Sequence, residues 1–323
     1  MFQLIAMIFL CALAVPVAAQ APVARTADPI KRGLTASDFP RTIKVAGNVY
    51  TYEAFHAGDE KFTTTNMFIV TDAGVLVADG QGDPAATKGL VDAIAKITAK
   101  PITHVVICSD HGDHTGGNVS FPTGVKYLIH PTSKAILDRQ AAARPTETSG
   151  RSAARSIRPE WTLPDDAELV ADKRTITLGR DEIHFLFLGR AHTGGDLSVY
   201  LPRQKILFMS ETFLNRVFPA MRSAYPTDWL AALTKAERMD VDVYIPGHGF
   251  TETGSVSKEE LRAYHKALDA VIAEATRLHH AGVPVDAAIK QANWGEYASW
   301  TLATSQGPIA IRKVYEELDG KLR

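Results

Sequence analysis

Short apolar runs rich in Val, Ile and Leu recur between turn residues from about residue 43 onward. Runs of four to eight such residues, bounded by Gly, Asp, Asn or Pro, are typical of buried β-strands. The pattern predicts strands at 43–50 (two short strands around a Gly-Asn turn), 63–70, 74–79, 102–107, 125–130, 174–178, 182–188, 197–201, 205–209 and 241–245.

Other segments carry apolar residues at helical spacing. Pro84 opens one helix, which ends before Pro101, and shorter helices are predicted at 131–138 and at 227–239, with Thr227 as the N-cap. The C-terminal part is helical, with the apolar positions Leu261, Tyr264, Leu268, Val271, Ala275 and Leu278. This order predicts an α/β protein of two βα halves whose sheets face each other with helices outside.

The N-terminus has a composition of its own. Residues 1–17 are nearly all apolar and small residues follow, which predicts a secretory signal peptide over 1–19 and a periplasmic or secreted protein. An uncleaved membrane anchor is the alternative, although the run is shorter than the roughly 20 residues a spanning helix needs. Residues 20–40, with three prolines, predict an extended leader, and 41–323 predict one domain that includes the C-terminal helices.

Composition narrows the range of partners. With 35 Lys and Arg against 36 Asp and Glu, the chain has no net positive field that would attract nucleic acid. We therefore expect no nucleic-acid partner, and the signal-peptide prediction implies no membrane association after cleavage. Other partners have to be inferred from a candidate site, and there we expect a small-molecule substrate. Cys108 is the one cysteine of the mature chain, and it is interpreted as a core residue in preference to a catalytic thiol.

Residues 139–166 are poor in apolar side chains and carry five arginines. One interpretation is a solvated surface insertion. The other is a lid that attracts an anionic substrate.

The most informative stretch runs from Cys108 to Asn118, directly after a predicted buried strand. His111, Asp113 and His114 fall within four residues, and the glycines among them predict a tight loop without continuing helix. Neutral imidazole and carboxylate are the usual protein ligands of zinc and similar metals.

Two further histidines also follow apolar strands at glycine-rich turns. His192 lies in Gly189–Asp196, and His248 lies in Pro246-Gly247-His248-Gly249. Four histidines at strand ends are expected when several loops converge on one metal cleft. The other histidines of the strands and of the C-terminal helix are interpreted as packing or exposed residues: His104, His130, His184, His265, His279 and His280.

These residues resemble the metallo-β-lactamase fold superfamily over about 43–250. The family motif H-x-H-x-D-H corresponds to 109–114 except at its first position, the motif G-x-x-H-T-x-G-D corresponds to 189–196, and P-G-H gives His248. The resemblance implies a four-layered αββα sandwich with one or two metal ions, usually Zn²⁺, at the edge between the sheets.

Two positions depart from the family pattern: Ser109 replaces the first motif histidine, and Ser210-Glu211 replaces the usual Gly-Asp. The resemblance implies one metal position with His111, His192 and a weak Ser109, and a second with Asp113, His114 and His248, while Glu211 reaches across both. Because a hydroxyl is a poor zinc ligand beside imidazole, we expect the first position to bind metal weakly or to be completed by water.

The expected activity is hydrolysis of a β-lactam, lactone, ester or thioester by a metal-activated water, with Asp113 as both ligand and orienting residue. The alternative is a non-catalytic member that binds a metal or a ligand. Five residues after Glu211 are interpreted as either pocket or core: Phe213, Phe218, Met221, Arg222 and Trp229. The sequence does not predict an oligomeric state.

Overall fold

The structure is a computed structural model that describes residues 24–56, 59–143 and 161–322. The predicted signal peptide and the central part of the Arg-rich insertion lie outside the described residues. Residues 24–40 of the predicted extended leader contain two turns of 3-10 helix, Ile30–Arg32 and Ala36–Asp38, and Ala27 is fully buried.

Twelve strands of the described residues form one strongly curled sheet. They are β1 (Arg41–Ala46), β2 (Val49–His56), β3 (Asp59–Thr71), β4 (Gly74–Ala78), β5 (Ile102–Ile107), β6 (Lys126–Ile129), β7 (Glu168–Leu169), β8 (Lys173–Leu178), β9 (Asp181–Phe187), β10 (Leu197–Leu201), β11 (Ile206–Leu214) and β12 (Val243–His248). The order is β7-β6-β5-β4-β3-β12-β11-β10-β9-β8, with β2 and β1 added beside β3.

Seven α-helices of the described residues cover the outer faces of the sheet. They are α1 (Pro84–Ile97), α2 (Gly112–Thr115), α3 (Pro131–Ala142), α4 (Pro226–Glu237), α5 (Gly254–His280), α6 (Val285–Gln291) and α7 (Ala303–Leu318). No helix in the described ranges is both long and apolar enough to span a membrane.

The two halves of the sheet are joined at β3 and β12 by a single paired position, Thr64 opposite His248. Between the halves lies an inner core to which both contribute, for example Val106 from β5 and Phe208 from β11. A second core lies between the first half and helices α1 and α3, and a third between β11 and helices α4, α5 and α7. The predicted four-layered αββα sandwich is therefore confirmed.

Most predicted elements are present, and the six apolar positions predicted for the C-terminal helix are all buried on α5. The predicted N-cap of α4 is wrong: the N-cap position is Tyr225, and Thr227 lies in the first turn, where its backbone N–H and hydroxyl donate to Glu317. The prediction of a non-helical loop after β5 is also wrong, because Gly112–Thr115 forms one helical turn.

Strand β11 is longer than predicted, because it continues past Met209 to Leu214. It does so through an irregularity at Ser210, whose φ is +47°, a left-handed conformation. Glu211 therefore lies within a strand and not at a strand end. Gly247 on β12 is required opposite this irregularity, since a Cβ there would lie 2.5 Å from the carbonyl carbon of Ser210.

Candidate metal centre

Donor side chains from four separate segments meet at one edge of the sandwich, beside the junction of β3 and β12. One group consists of Asp113 and His114 on α2, Glu211 on β11 and His248 at the end of β12. Nε2 of His248 lies 3.1 Å from Oδ2 of Asp113, 3.3 Å from Oε1 of Glu211 and 3.3 Å from Nε2 of His114.

A second group shares Glu211 with the first. Nδ1 of His111 lies 2.9 Å from Oε2 of Glu211, and Nε2 of His192 lies 3.0 Å from Oε1 of the same carboxylate. The two imidazole nitrogens lie 3.2 Å apart. Glu211 thus presents one oxygen to His111 and the other to His192 and His248. Its role as a ligand shared by two metal positions stays a prediction.

The spacing and chemistry of these donors fit a metal ion. Four ligands held tetrahedrally at about 2.0–2.1 Å from zinc lie about 3.3–3.4 Å from one another, and the distances in both groups are close to this. His248 Nδ1 donates to the carbonyl of Thr63, 3.0 Å away, and His114 Nδ1 lies 3.1 Å from Oδ2 of Asp79. In their neutral forms both rings therefore direct Nε2 lone pairs at each other, an arrangement that a shared cation stabilises.

Ser109 lies beside Glu211 and is completely buried. Its hydroxyl donates a hydrogen bond to Oε2 of Glu211. The structure therefore shows Ser109 as a donor to a carboxylate of the centre, and a direct ligand role for Ser109 stays a prediction.

Asp79, at the end of β4, supports the centre from behind. Besides His114, Oδ2 of Asp79 accepts a hydrogen bond from the hydroxyl of Ser210 at 2.6 Å, and Oδ1 accepts one from the backbone N–H of Cys108 at 2.7 Å. Asp79 and Ser210 both have positive φ, +64° and +47°. Two residues in a conformation that L-residues rarely adopt thus meet behind the ligands. Such left-handed backbone is often found at functional sites.

His56 is a residue of the centre that the sequence reasoning missed. Its Nδ1 lies 3.4 Å from Oδ2 of Asp113, and its ring stacks on Phe62 with 4.4 Å between centroids. Burial, together with the nearby His248, lowers the pKa of His56 to about 4. A local signal was available, since His56 is the last residue of β2 and is followed in the sequence by Gly58, Asp59 and Glu60.

The charges of the centre depend strongly on one another. Burial alone would lower the pKa of His111 and His248, but the carboxylates of Glu211 and Asp113 overcome burial and raise it to about 9 and about 10. Burial would likewise raise the pKa of Glu211, but the surrounding histidines hold it well below its usual range. The centre therefore combines imidazoles whose pKa is raised, His111 and His248, with the ionised carboxylate of Glu211, whereas burial lowers the pKa of His192.

The centre forms the floor of a cleft of about 200 Å³. Of the five residues interpreted as pocket or core, only Arg222 lines this cleft. The other four are at most 1% exposed and belong to the core under helices α4 and α5: Phe213, Phe218, Met221 and Trp229.

The remaining histidines lie away from the centre, as predicted. His130 caps α3 and stacks on Phe187, while Nδ1 of His265 lies 3.1 Å from Oε1 of Glu237 and Nε2 of His279 lies 2.9 Å from Oδ1 of Asp319. Cys108 is fully buried in the inner core, and burial raises the pKa of its thiol well above the usual range, so the core interpretation agrees with the structure. From the Arg-rich insertion, the described Trp161 packs on Tyr127.

The fold and this cluster together define a class: sandwich proteins with a buried, histidine- and carboxylate-rich metal centre at the sheet edge. Residues 61–248 match the family model described as the Metallo-beta-lactamase superfamily, which is more than half of the chain. The chain belongs to this superfamily, whose members bind divalent metals, typically zinc.

Comparison with curated proteins gives distant relatives of differing activity. The chain is 24% identical over 274 residues to "2,4-dinitroanisole O-demethylase subunit alpha" of Nocardioides sp. (strain JS1661), covering 84% of this chain and 73% of that protein. It is 21% identical over 212 residues to "Metallo-beta-lactamase type 2" of Elizabethkingia meningoseptica, covering 64% and 77%.

Solved structures show the same fold. A metallo-beta-lactamase from Pontibacter korlensis superposes with a TM-score of 0.58 at 18% identity, covering 71% of this chain and 98% of that one. The stereoselective inverting sec-alkylsulfatase Pisa1 from Pseudomonas sp. gives a TM-score of 0.64 at 16% identity, covering 85% of this chain and half of that longer one.

Proposed function

We propose that this protein is a metal-dependent hydrolase that acts on a carbonyl-type substrate with one or two zinc ions as cofactor. The observation that carries the proposal is the sharing of Glu211 between two donor groups on the floor of one cleft. His111, His192 and Glu211 would hold one ion, and Asp113, His114, His248 and Glu211 the other. Zinc held there would lower the pKa of a coordinated water to about 7 and would polarise the carbonyl oxygen of the substrate.

In this proposal the chain itself orients the attacking water. Asp113 lines the cleft and is half-buried, with Oδ2 directed at His248 and His114. It is placed to accept a hydrogen bond from the attacking water and so to orient it. Two other candidate nucleophiles are not placed to attack a substrate, since the Ser109 hydroxyl is engaged with Glu211 and Cys108 is fully buried.

The substrate class that we propose is a β-lactam, lactone, ester or thioester. The relatives named above extend the set of bonds to be tested, because one is named an O-demethylase of 2,4-dinitroanisole and another a sec-alkylsulfatase. A panel of nitrocefin, a γ-lactone, a p-nitrophenyl ester, a thioester, 2,4-dinitroanisole and a secondary alkyl sulfate separates these chemistries.

Chelation and two substitutions test the metal-dependent step. We expect a chelator to abolish hydrolysis and zinc to restore it, and His111→Ala and His248→Ala each to lower kcat/KM by orders of magnitude. His265→Ala is the matched control, because His265 contacts Glu237 on α4 and does not line the cleft. Turnover close to wild type in both ligand variants would refute the assignment.

The second candidate is a non-catalytic member that binds one metal or a ligand. It is favoured by the presence of Ser109 where a third imidazole would stand, which leaves the His111 position with only three donors. Elemental analysis after zinc supplementation decides between the two candidates: one or two zinc equivalents with turnover exclude the second, and a protein without zinc and without turnover excludes the first.

We also propose export to the periplasm or medium on the basis of the apolar N-terminal segment. N-terminal sequencing of the protein from its native cells tests this. A first residue near 20–22 is the expected result, and an intact Met1 would contradict it.

A further inference from the structure

The cleft has two walls of opposite character. The floor and one wall consist of the metal-centre donors. The rest of the lining is mainly apolar and comes from two segments: Leu214, Val217 and Ala220 from the end of β11 onward, and Leu302 and Ile309 at the start of α7. Each segment also contributes one polar residue, Arg222 and Gln306.

The α7 segment is held firmly in this position. The backbone N–H of Phe218 donates to the carbonyl of Thr301 at 2.9 Å, and Val217 forms a β-bridge with Thr301. Gly307 packs so closely on the indole of Trp294 that a Cβ would lie 2.7 Å from its nitrogen. Helix α7 is therefore a fixed wall of the cleft, docked by backbone hydrogen bonds and close packing.

Helix α7 buries one face and leaves Leu302 and Ile309, with Gln306 between them, beside the cleft. Ala303, Ala310, Ile311 and Val314 are buried in the core shared with α5. Leu302 and Ile309 are only partly buried, because they border the cleft. When an apolar group of a ligand covers this surface, the surface is removed from water, and this makes the free energy of binding more favourable.

This wall lies partly outside the segment of the chain that matches the family model, which ends at residue 248. The donors of the centre lie inside that segment, whereas Leu302 and Ile309 do not. The metal centre and the α7 side of the apolar wall are therefore contributed by separate parts of the chain.

From this arrangement we propose that Leu302, Ile309 and Ala220 are specificity-determining residues that receive a hydrophobic alkyl or aryl group of the substrate, adjacent to the bond cleaved at the centre. The inference rests on the proposed hydrolase for the reaction, but not for the binding of the apolar group. An apolar wall of this kind favours hydrophobic esters, lactones or thioesters over small polar substrates.

Binding without turnover tests the wall directly. Straight-chain alkyl hydroxamates, from acetohydroxamate to octanohydroxamate, are titrated calorimetrically into the full-length zinc-loaded protein. We expect Kd to fall about two- to fourfold for each added methylene until the cleft is filled, as burial of alkyl surface requires.

Three variants locate the effect. Ile309→Asn is expected to remove more than half of the gain per methylene, and Ile309→Trp to shift the tightest binding to shorter chains. Leu318→Asn is the matched control, since Leu318 ends the same helix, is 38% exposed and does not line the cleft. Its chain-length dependence should equal that of the wild type, and circular dichroism confirms that all three variants are folded.

The outcomes separate this inference from the proposed function. Chain-length-dependent hydroxamate binding that Ile309→Asn weakens, without hydrolysis of any panel substrate, supports the apolar wall and overturns the hydrolase. Hydrolysis of p-nitrophenyl esters at rates independent of acyl length, with a flat hydroxamate series, overturns the wall and leaves the hydrolase. Absence of hydroxamate binding, or equal loss in Leu318→Asn, also overturns the wall.

Discussion

The hydroxyl of Ser109 donates a hydrogen bond to Oε2 of Glu211, across 102 positions of the sequence. The same oxygen lies 2.9 Å from Nδ1 of His111. Both side chains are buried, so water does not compete for this bond. The two departures from the family pattern are thus in direct contact, and the serine fixes the orientation of the longer carboxylate toward the His111 position.

Replacing Ser109 by Ala should weaken the metal position of His111 and His192 by about 10- to 100-fold, the usual effect of removing a partner that orients a ligand. The position of Asp113, His114 and His248 should change much less, since each of these residues keeps its own partners. Calorimetric zinc titration, with elemental analysis, measures both positions. Ser299→Ala, in the exposed C-terminal part, is the control, and equal weakening at both positions would contradict the orienting role.

Asp79→Asn should weaken zinc at the His114 position by a similar factor. The substitution replaces the carboxylate that lies 3.1 Å from His114 Nδ1 with a neutral amide, which lowers the basicity of the ring and loosens its orientation. Titration with zinc measures the effect, and Asp72→Asn, an exposed aspartate on the β3–β4 turn, is the control. Unchanged affinity in Asp79→Asn would show that Asp79 does not support His114 as a ligand.

Substitutions of Ser210 should separate backbone strain from hydrogen bonding. Ser210→Ala loses the bond to Asp79 and keeps the left-handed φ, so we expect a loss of about 2 kcal/mol in the free energy of unfolding. Ser210→Gly loses the same bond but relieves roughly 1 kcal/mol of left-handed strain, so its loss should be smaller. Urea unfolding of both variants gives the order, and a glycine variant less stable than the alanine variant would contradict this account.

Zinc binding should release protons and strengthen as pH rises. In the metal-free protein the pKa of His111 is raised to about 9 and that of His248 to about 10, so both are protonated at pH 7, whereas zinc requires neutral imidazole. These histidines stabilise the metal-free fold fully below their ordinary pKa of about 6.5, and this contribution is lost as pH rises through the folded values of about 9 and about 10. The affinity for zinc, by contrast, should rise as the pH increases through the same range.

Calorimetry in buffers of different ionisation enthalpy counts the released protons. We expect about two per protein at pH 7 when both positions fill, and about one fewer in His111→Ala. A zinc affinity that is constant between about pH 6 and pH 9 would contradict the charge state described for the metal-free centre.

Much of the centre was predictable from the sequence because its signals are local. Apolar runs and turn residues mark β5, β9 and β12, and the motif donors follow these strands directly, so His111, His114, His192 and His248 could be assigned before any coordinates. The same locality placed the six apolar positions of α5 in the core. Nearest-neighbour chemistry and the periodicity of each element suffice for such assignments.

Only the tertiary structure decided which side chains from distant segments touch. The role of Ser109 as a donor to Glu211, the approach of His56 to Asp113 and the meeting of Asp79 with Ser210 all depend on segments that pack together from distant parts of the chain. The tertiary structure likewise decided that Phe213 lies in the core and that Ile309 of α7 lies beside the cleft. The sequence determined which donors and elements exist, and the packing of the two halves determined their distances, because direction and proximity are set by long-range contacts that no local pattern encodes.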